Sequence, residues 1–214
     1  MKQQTVLIGA VIAIAISGGV LYKFFAKPRS VDAATQSLFD AYTQVAAQEV
    51  SRLLGGRGGV VVLMWGPPAD DARDPNGPPV VQAFCRALPR FGLRLLAKEQ
   101  VAPVPEGYDI VWTAENYRSA LERYPQAAAL VSFVGDPQLS AENIHELPAH
   151  RPRLIVVRGG KVEAARKLFE LGILDGAVLP CMEAPANDRP PKSAREWFDR
   201  FYLFVTPQSA AELH

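Results

Sequence analysis

The first pattern along the chain is an unbroken apolar one. From Thr5 to Tyr22 no residue is charged, a run of 18 positions. At helical rise such a run covers about 27 Å, close to the thickness of a bilayer's hydrocarbon core. Residues 5–26 are therefore expected to form a single transmembrane helix. The competing reading is a cleaved signal peptide, with Lys2 in front and Ala15-Ile16-Ser17 as the cleavage site. The apolar run continues past that site through Val20-Leu21-Tyr22, which favours an anchor that stays in place. Pro28 ends the run, and residues 28–32 read as a linker.

The period then changes. Leu38, Phe39, Tyr42, Val45, Ala46, Val50 and Leu53 recur at three- and four-residue steps, so a helix is expected over Ala33–Leu54. Gly55-Gly56-Arg57-Gly58-Gly59 stops it. That helix is either a stalk or the first layer of the domain, and its broad apolar face favours packing. Short continuous apolar runs then alternate with amphipathic stretches. Strands are expected at Val60–Trp65, Leu93–Ala97, Ala128–Val134, Leu154–Val157, Gly176–Leu179 and Phe201–Val205, with a short extra one at Tyr108–Trp112. Helices are expected at Val80–Leu88, Asn116–Arg123, Lys161–Leu171 and around Glu196–Asp199. Strands without polar alternation must be covered on both faces, so the pattern predicts a three-layer α/β domain with a mostly parallel sheet flanked by helices. The organisation read from the chain is an anchor at 1–27, a linker and helix at 28–57, one α/β domain at 58–207 and a tail at 208–214.

Two stretches carry a family resemblance. Ala120-Leu121-Glu122-Arg123-Tyr124-Pro125 leads into Ala128-Ala129-Leu130-Val131-Ser132-Phe133-Val134-Gly135, and Gly172-Ile173-Leu174-Asp175-Gly176-Ala177-Val178 follows the run Arg153–Val157. A helix entering a strand through proline, and a strand re-entered through Asp-Gly, resemble one lobe of the type I periplasmic-binding-protein fold. The resemblance spans roughly residues 58–180 and is one of fold pattern, without a diagnostic fingerprint. It implies an extracytoplasmic, ligand-facing domain. Two-lobed receptors close a cleft with about 280 residues, whereas this chain holds one lobe's worth. The resemblance puts the domain in the periplasm, held to the inner membrane by a single pass. Lys23, Lys27 and Arg29 after the span oppose that orientation by the positive-inside rule.

Charge narrows the function classes. Setting aside Lys2, Lys23, Lys27 and Arg29 from the 23 basic residues leaves 19 against 22 acidic ones. A net charge near −3 is unlike a nucleic-acid-binding surface. The two cysteines, Cys85 and Cys181, are 96 positions apart, which is neither metal spacing nor a disulfide framework. The alternatives are one long-range bridge or two separate, semi-buried thiols, and the latter is expected.

Ligands of open α/β sheets sit beyond the C-terminal strand ends. The loops expected there hold Gly66, Asp70 and Asp71, then Asp136, then Gly159-Gly160, then Cys181. Asp70, Asp71 and Asp136 have the chemistry of a cation-binding cluster, but aspartates also favour turns for their own backbone bonds. The glycine run 55–59 precedes a strand, whereas a phosphate-cradling loop must follow one. Gly159-Gly160-Lys161 follows a strand and opens a helix but has neither nucleotide-motif spacing. His145 and His150 fall in a polar loop, His214 is the last residue, and no G-x-S-x-G occurs. Cys181, at a strand tip, is the best isolated nucleophile candidate. The aromatic set Trp197, Phe198, Phe201, Tyr202 and Phe204 reads as closing a core.

The expected function is a membrane-anchored ligand-sensing or protein-interaction domain, non-catalytic and without a cofactor, associated with a transport or envelope complex or with a second copy of itself. Its expected ligand-binding positions are Gly66, Asp70, Glu115, Asp136, Gly159 and Cys181. One alternative is a hydrolase or thiol enzyme using strand-tip residues. The other is a scaffold assembling through helix 33–54 and the C-terminal aromatics.

Overall fold

A computed structural model describes residues 33–66, 78–101, 104–106, 109–158, 162–181 and 191–210. The apolar run 5–26 lies outside them. Among the described residues no helix is long and apolar enough to cross a membrane. Ser37–His214 forms one compact unit.

Helix α1 (Ala33–Leu53) ends in a Schellman turn. The Gly56 N–H donates to Ser51 O at 2.8 Å and the Gly55 N–H to Arg52 O at 3.2 Å. Gly55 takes φ 72°, a left-handed conformation that costs a side chain but not glycine. The glycine run is thus a helix stop. Strand β1 (Gly58–Trp65) follows, then α2 (Pro79–Ala87), a 3₁₀ turn (Leu88–Phe91) and β2 (Leu93–Val101). A hairpin of β3 (Val104–Glu106) and β4 (Asp109–Thr113) leads into α3 (Ala114–Arg123). Then come β5 (Ala129–Ser132), β6 (Pro137–Gln138), α4 (Ala141–His145), β7 (Arg153–Val156), α5 (Val162–Glu170) and β8 (Leu174–Pro180). Helix α6 (Ala194–Phe201), β9 (Tyr202–Val205) and α7 (Pro207–Ala210) close the chain.

The main sheet has six strands in the order β2-β1-β5-β7-β8-β9. All neighbours pair in parallel except β8 and β9. Val60, Val62 and Met64 of β1 face a core shared with α1, α2 and α6, while Val61 and Leu63 face one shared with α3, α5 and α7. Alternate side chains therefore enter two separate cores. That is why β1 reads as continuous valine and leucine rather than as an alternating strand.

Helix α1 lays Tyr42, Val45, Ala46, Ala47 and Val50 on the sheet, so it is a layer of the domain and not a stalk. Leu38, expected on the same face, is instead 43% exposed. The Tyr42 hydroxyl already donates to the Val157 carbonyl at the C-terminal edge of the sheet, so Leu38, a turn earlier, has no sheet beneath it. Phe201, expected in the last strand, ends α6 and is also exposed. Of the aromatic set, Phe198 is fully buried in the first core and Trp197, Tyr202 and Phe204 pack partly against it. The extra strand β4 does not join the main sheet. It pairs with β3 and β6 in a small three-stranded sheet of its own. His145 ends a short helix capped by Ser140 and Asn143, where a loop was expected.

Candidate functional site

The strand order reverses between β1 and β5. The chain leaves β1 for β2 on one side and returns to β5 on the other. At such a reversal the connecting loops diverge and leave a crevice at the C-terminal strand tips. Here the two tips are tied together, because the Phe133 N–H donates to Leu63 O at 2.9 Å. The β1 tip ends in Trp65 and Gly66, both half-buried. The Gly66 N–H donates to Val101 O at 3.0 Å, which holds the turn beside the end of β2.

The β5 tip is fastened more elaborately. Ser132 is fully buried, and its hydroxyl donates to Gly135 O at 2.7 Å while accepting the Val134 N–H at 3.2 Å. The buried Trp112 indole donates to the same Gly135 carbonyl at 3.0 Å. Gly135 takes φ 88°, a turn only glycine makes freely. Pro137 then pairs with Trp112 across β4 and β6. Asp136, half-buried, sits between these two fixed points, so its backbone is set in place from both sides. Ser132 and Trp112 were not among the expected site residues. The legible signal was a lone serine inside an otherwise apolar strand, which must find an internal partner when buried.

The other expected positions are scattered. Glu115 is exposed in the first turn of α3, where its charge favours the helix N-terminus and Thr113 and Asn116 form a reciprocal cap. Cys181 follows β8, three strand positions from β1 and so about 14 Å from its tip at ordinary strand spacing. Burial, and then the nearby Asp199 carboxylate, push its thiol up, away from the reactive thiolate. Cys85 is likewise pushed up, chiefly by burial. Both cysteines are free and half-buried. Asp70, Asp71 and Gly159 lie outside the described residues. Among the described residues no group of three or more His, Cys, Asp or Glu side chains is placed to hold a metal ion.

No protein-family model matches the chain, and no curated protein matches it in sequence. Solved structures match its fold. An ABC-transporter solute-binding protein from Burkholderia graminis C4D1M, in complex with D-arabinose, has a TM-score of 0.50 at 11% identity, covering 81% of this chain and 61% of that one. An arabinose-binding protein from Geobacillus stearothermophilus has a TM-score of 0.49 at 16% identity, covering 82% and 63%. A sugar-binding protein of an ABC transporter from Bacillus halodurans has a TM-score of 0.49 at 16% identity, covering 83% and 64%. The chain thus spans less than two thirds of the length of each. At these identities the likeness is one of fold: a periplasmic-binding-protein-like α/β domain with a mostly parallel sheet between helices.

Proposed function

We propose that this chain is a membrane-tethered, extracytoplasmic receptor domain that holds a small neutral polyol, of the pentose or hexose class, against the tips of β1 and β5. The observation that carries the reading is the doubly fastened turn Phe133–Asp136 beside Gly66 at the strand-order reversal. The Burkholderia protein of like fold is bound to D-arabinose, which supports the choice of ligand class. The chemistry fits. Asp136, half-buried, brings a carboxylate that can accept hydroxyl hydrogens, and Trp65, half-buried against the second core, brings the apolar ring on which a sugar ring can stack. The rest of the cleft comes from a second protein, and the apolar segment 5–26 holds the domain at the inner membrane. Binding without turnover fits this reading, since Cys181, the nucleophile candidate, stands three strands away from the crevice.

Trp65 provides the test. The full chain in detergent micelles is titrated with D-arabinose, L-arabinose, D-allose and D-glucose while tryptophan fluorescence and binding heat are followed. One sugar is expected to give a saturable change that Asp136→Asn weakens at least about tenfold, the loss of one charge-assisted hydrogen bond. Cys181→Ser should leave it unchanged. No saturable signal below about 10 mM for any sugar, or affinity indifferent to Asp136→Asn, would reject the proposal.

A further inference from the structure

The two edges of the main sheet are unlike. Strand β2 carries Arg94, Lys98, Glu99 and Gln100 along its length, the charged edge by which sheets avoid pairing with other chains. Strand β9 reads Tyr202-Leu203-Phe204-Val205 and carries no charge. Leu203 is 46% exposed and Phe201, just before it, 38%.

The backbone of β9 can be read bond by bond. The Cys181 N–H donates to Phe201 O at 2.9 Å, so these two residues form a directly bonded antiparallel pair. Bonded and unbonded pairs alternate along an antiparallel ladder. With Leu179 opposite Leu203 and Ala177 opposite Val205, residues 201, 203 and 205 aim their backbone groups at β8. Tyr202 and Phe204 aim theirs away from the sheet. Pro180, which has no N–H to give, lies opposite Tyr202, in an unbonded pair. The Tyr202 N–H is used by Phe198 O at the end of α6, and the Thr206 N–H by the Ser209 hydroxyl at 2.9 Å. Phe204 is thus left with its N–H and C=O both facing outward, and none of the described residues takes either.

We infer that β9 pairs with β9 of a second copy of this chain, antiparallel, about a twofold axis at Phe204. A residue whose donor and acceptor both face out is complementary to itself under a twofold: each Phe204 N–H meets the other copy's Phe204 carbonyl. Leu203 of one copy then lies opposite Val205 of the other on the same sheet face; Val205 is already buried, so the apolar surface that the pairing covers is that of Leu203. No complementary charge is required, which is why an uncharged strand suits itself as partner. The charged β2 edge keeps the assembly closed, since a chain of sheets would need β2 to pair as well. This pairing is independent of any ligand at the β1 and β5 tips.

The test is sedimentation of the full chain in detergent micelles, with amide hydrogen exchange followed over a concentration series. A dimer is expected at about 100 µM, with the Phe204 amide exchanging more slowly as concentration rises. Leu203→Lys should weaken dimerisation at least about tenfold while circular dichroism stays unchanged, and Arg94→Glu on the other edge should leave it intact. A monomer throughout the series would overturn the inference. So would a dimer indifferent to Leu203→Lys, or a Phe204 amide whose exchange ignores concentration; this last reading needs no variant to fold.

Discussion

Tyr42 and Tyr117 are both buried tyrosines, and their hydroxyls fare differently. Tyr42 donates to the Val157 carbonyl. The Tyr117 hydroxyl is buried with no hydrogen-bond partner among the described residues, and the Arg151 guanidinium acts on it by its charge. Burial pushes Tyr117 from 10.0 up to about 12, against the charge of Arg151. Burial, reinforced by Tyr202 and opposed by Arg158, pushes Tyr42 up as well. In the unfolded chain both ionise at the ordinary tyrosine value. The folded state keeps its protons longer, so this stability is whole below pH 10 and is lost as pH rises toward 12 and beyond. Urea midpoints measured from pH 9 to 12 should fall in that window, and Tyr117→Phe should flatten the fall. An unchanged slope in Tyr117→Phe would disprove the assignment. At pH 7, Tyr117→Phe should be neutral or stabilising, whereas Tyr42→Phe should cost about 1 kcal/mol for the lost bond.

Strands β1, β5, β7 and β8 stand where the apolar runs put them, as parallel neighbours buried on both faces. Val131 lies at the centre of β5, fully buried, opposite Val62 and Ile155. Val131→Asp should cost about 4 kcal/mol or more, because a carboxyl group there has neither water nor a partner. Chemical denaturation reads this directly, and a loss under about 1 kcal/mol would mean that the strand is not buried on both sides. These elements were legible because each carries its own period. The small sheet was not. Strand β6 is only Pro137–Gln138, too short for any period, and exists because β4 is there to pair with it. FYLFV is apolar throughout, so its spacing predicts a strand from Phe201 on. The helix keeps it because Ser193 caps the helix start at Glu196 and the final Tyr202 N–H still closes a helical bond.

Ser37–His214 forms one unit in which six strands separate two cores. For the tether proposed at 5–26, the fold likeness and the cations Lys23, Lys27 and Arg29 give opposite expectations of orientation. With a reporter enzyme that is active only in the periplasm fused after His214, activity is expected. A fusion active only as a cytoplasmic reporter would reverse the orientation. Of the candidate site, Gly66 and Asp136 were legible as loop residues beyond apolar strands, and the structure sets their strands side by side. Glu115 and Cys181 were legible in the same way but stand elsewhere. Nothing local to a strand tip tells which other tip is its neighbour.

What the amino-acid sequence determined by itself was local and periodic. It decided which runs are strands buried on both faces and where α1 stops at Gly55. Those follow from side-chain spacing and from glycine's freedom at positive φ, both set within a few residues. Only the tertiary structure decided the strand order β2-β1-β5-β7-β8-β9, and with it the pairing of Gly66's strand with Asp136's, the double hold on the Gly135 carbonyl, and which way Phe204 turns its backbone. Each depends on contacts between segments far apart in the chain, and hydrophobic periodicity is indifferent to which buried strand lies beside which.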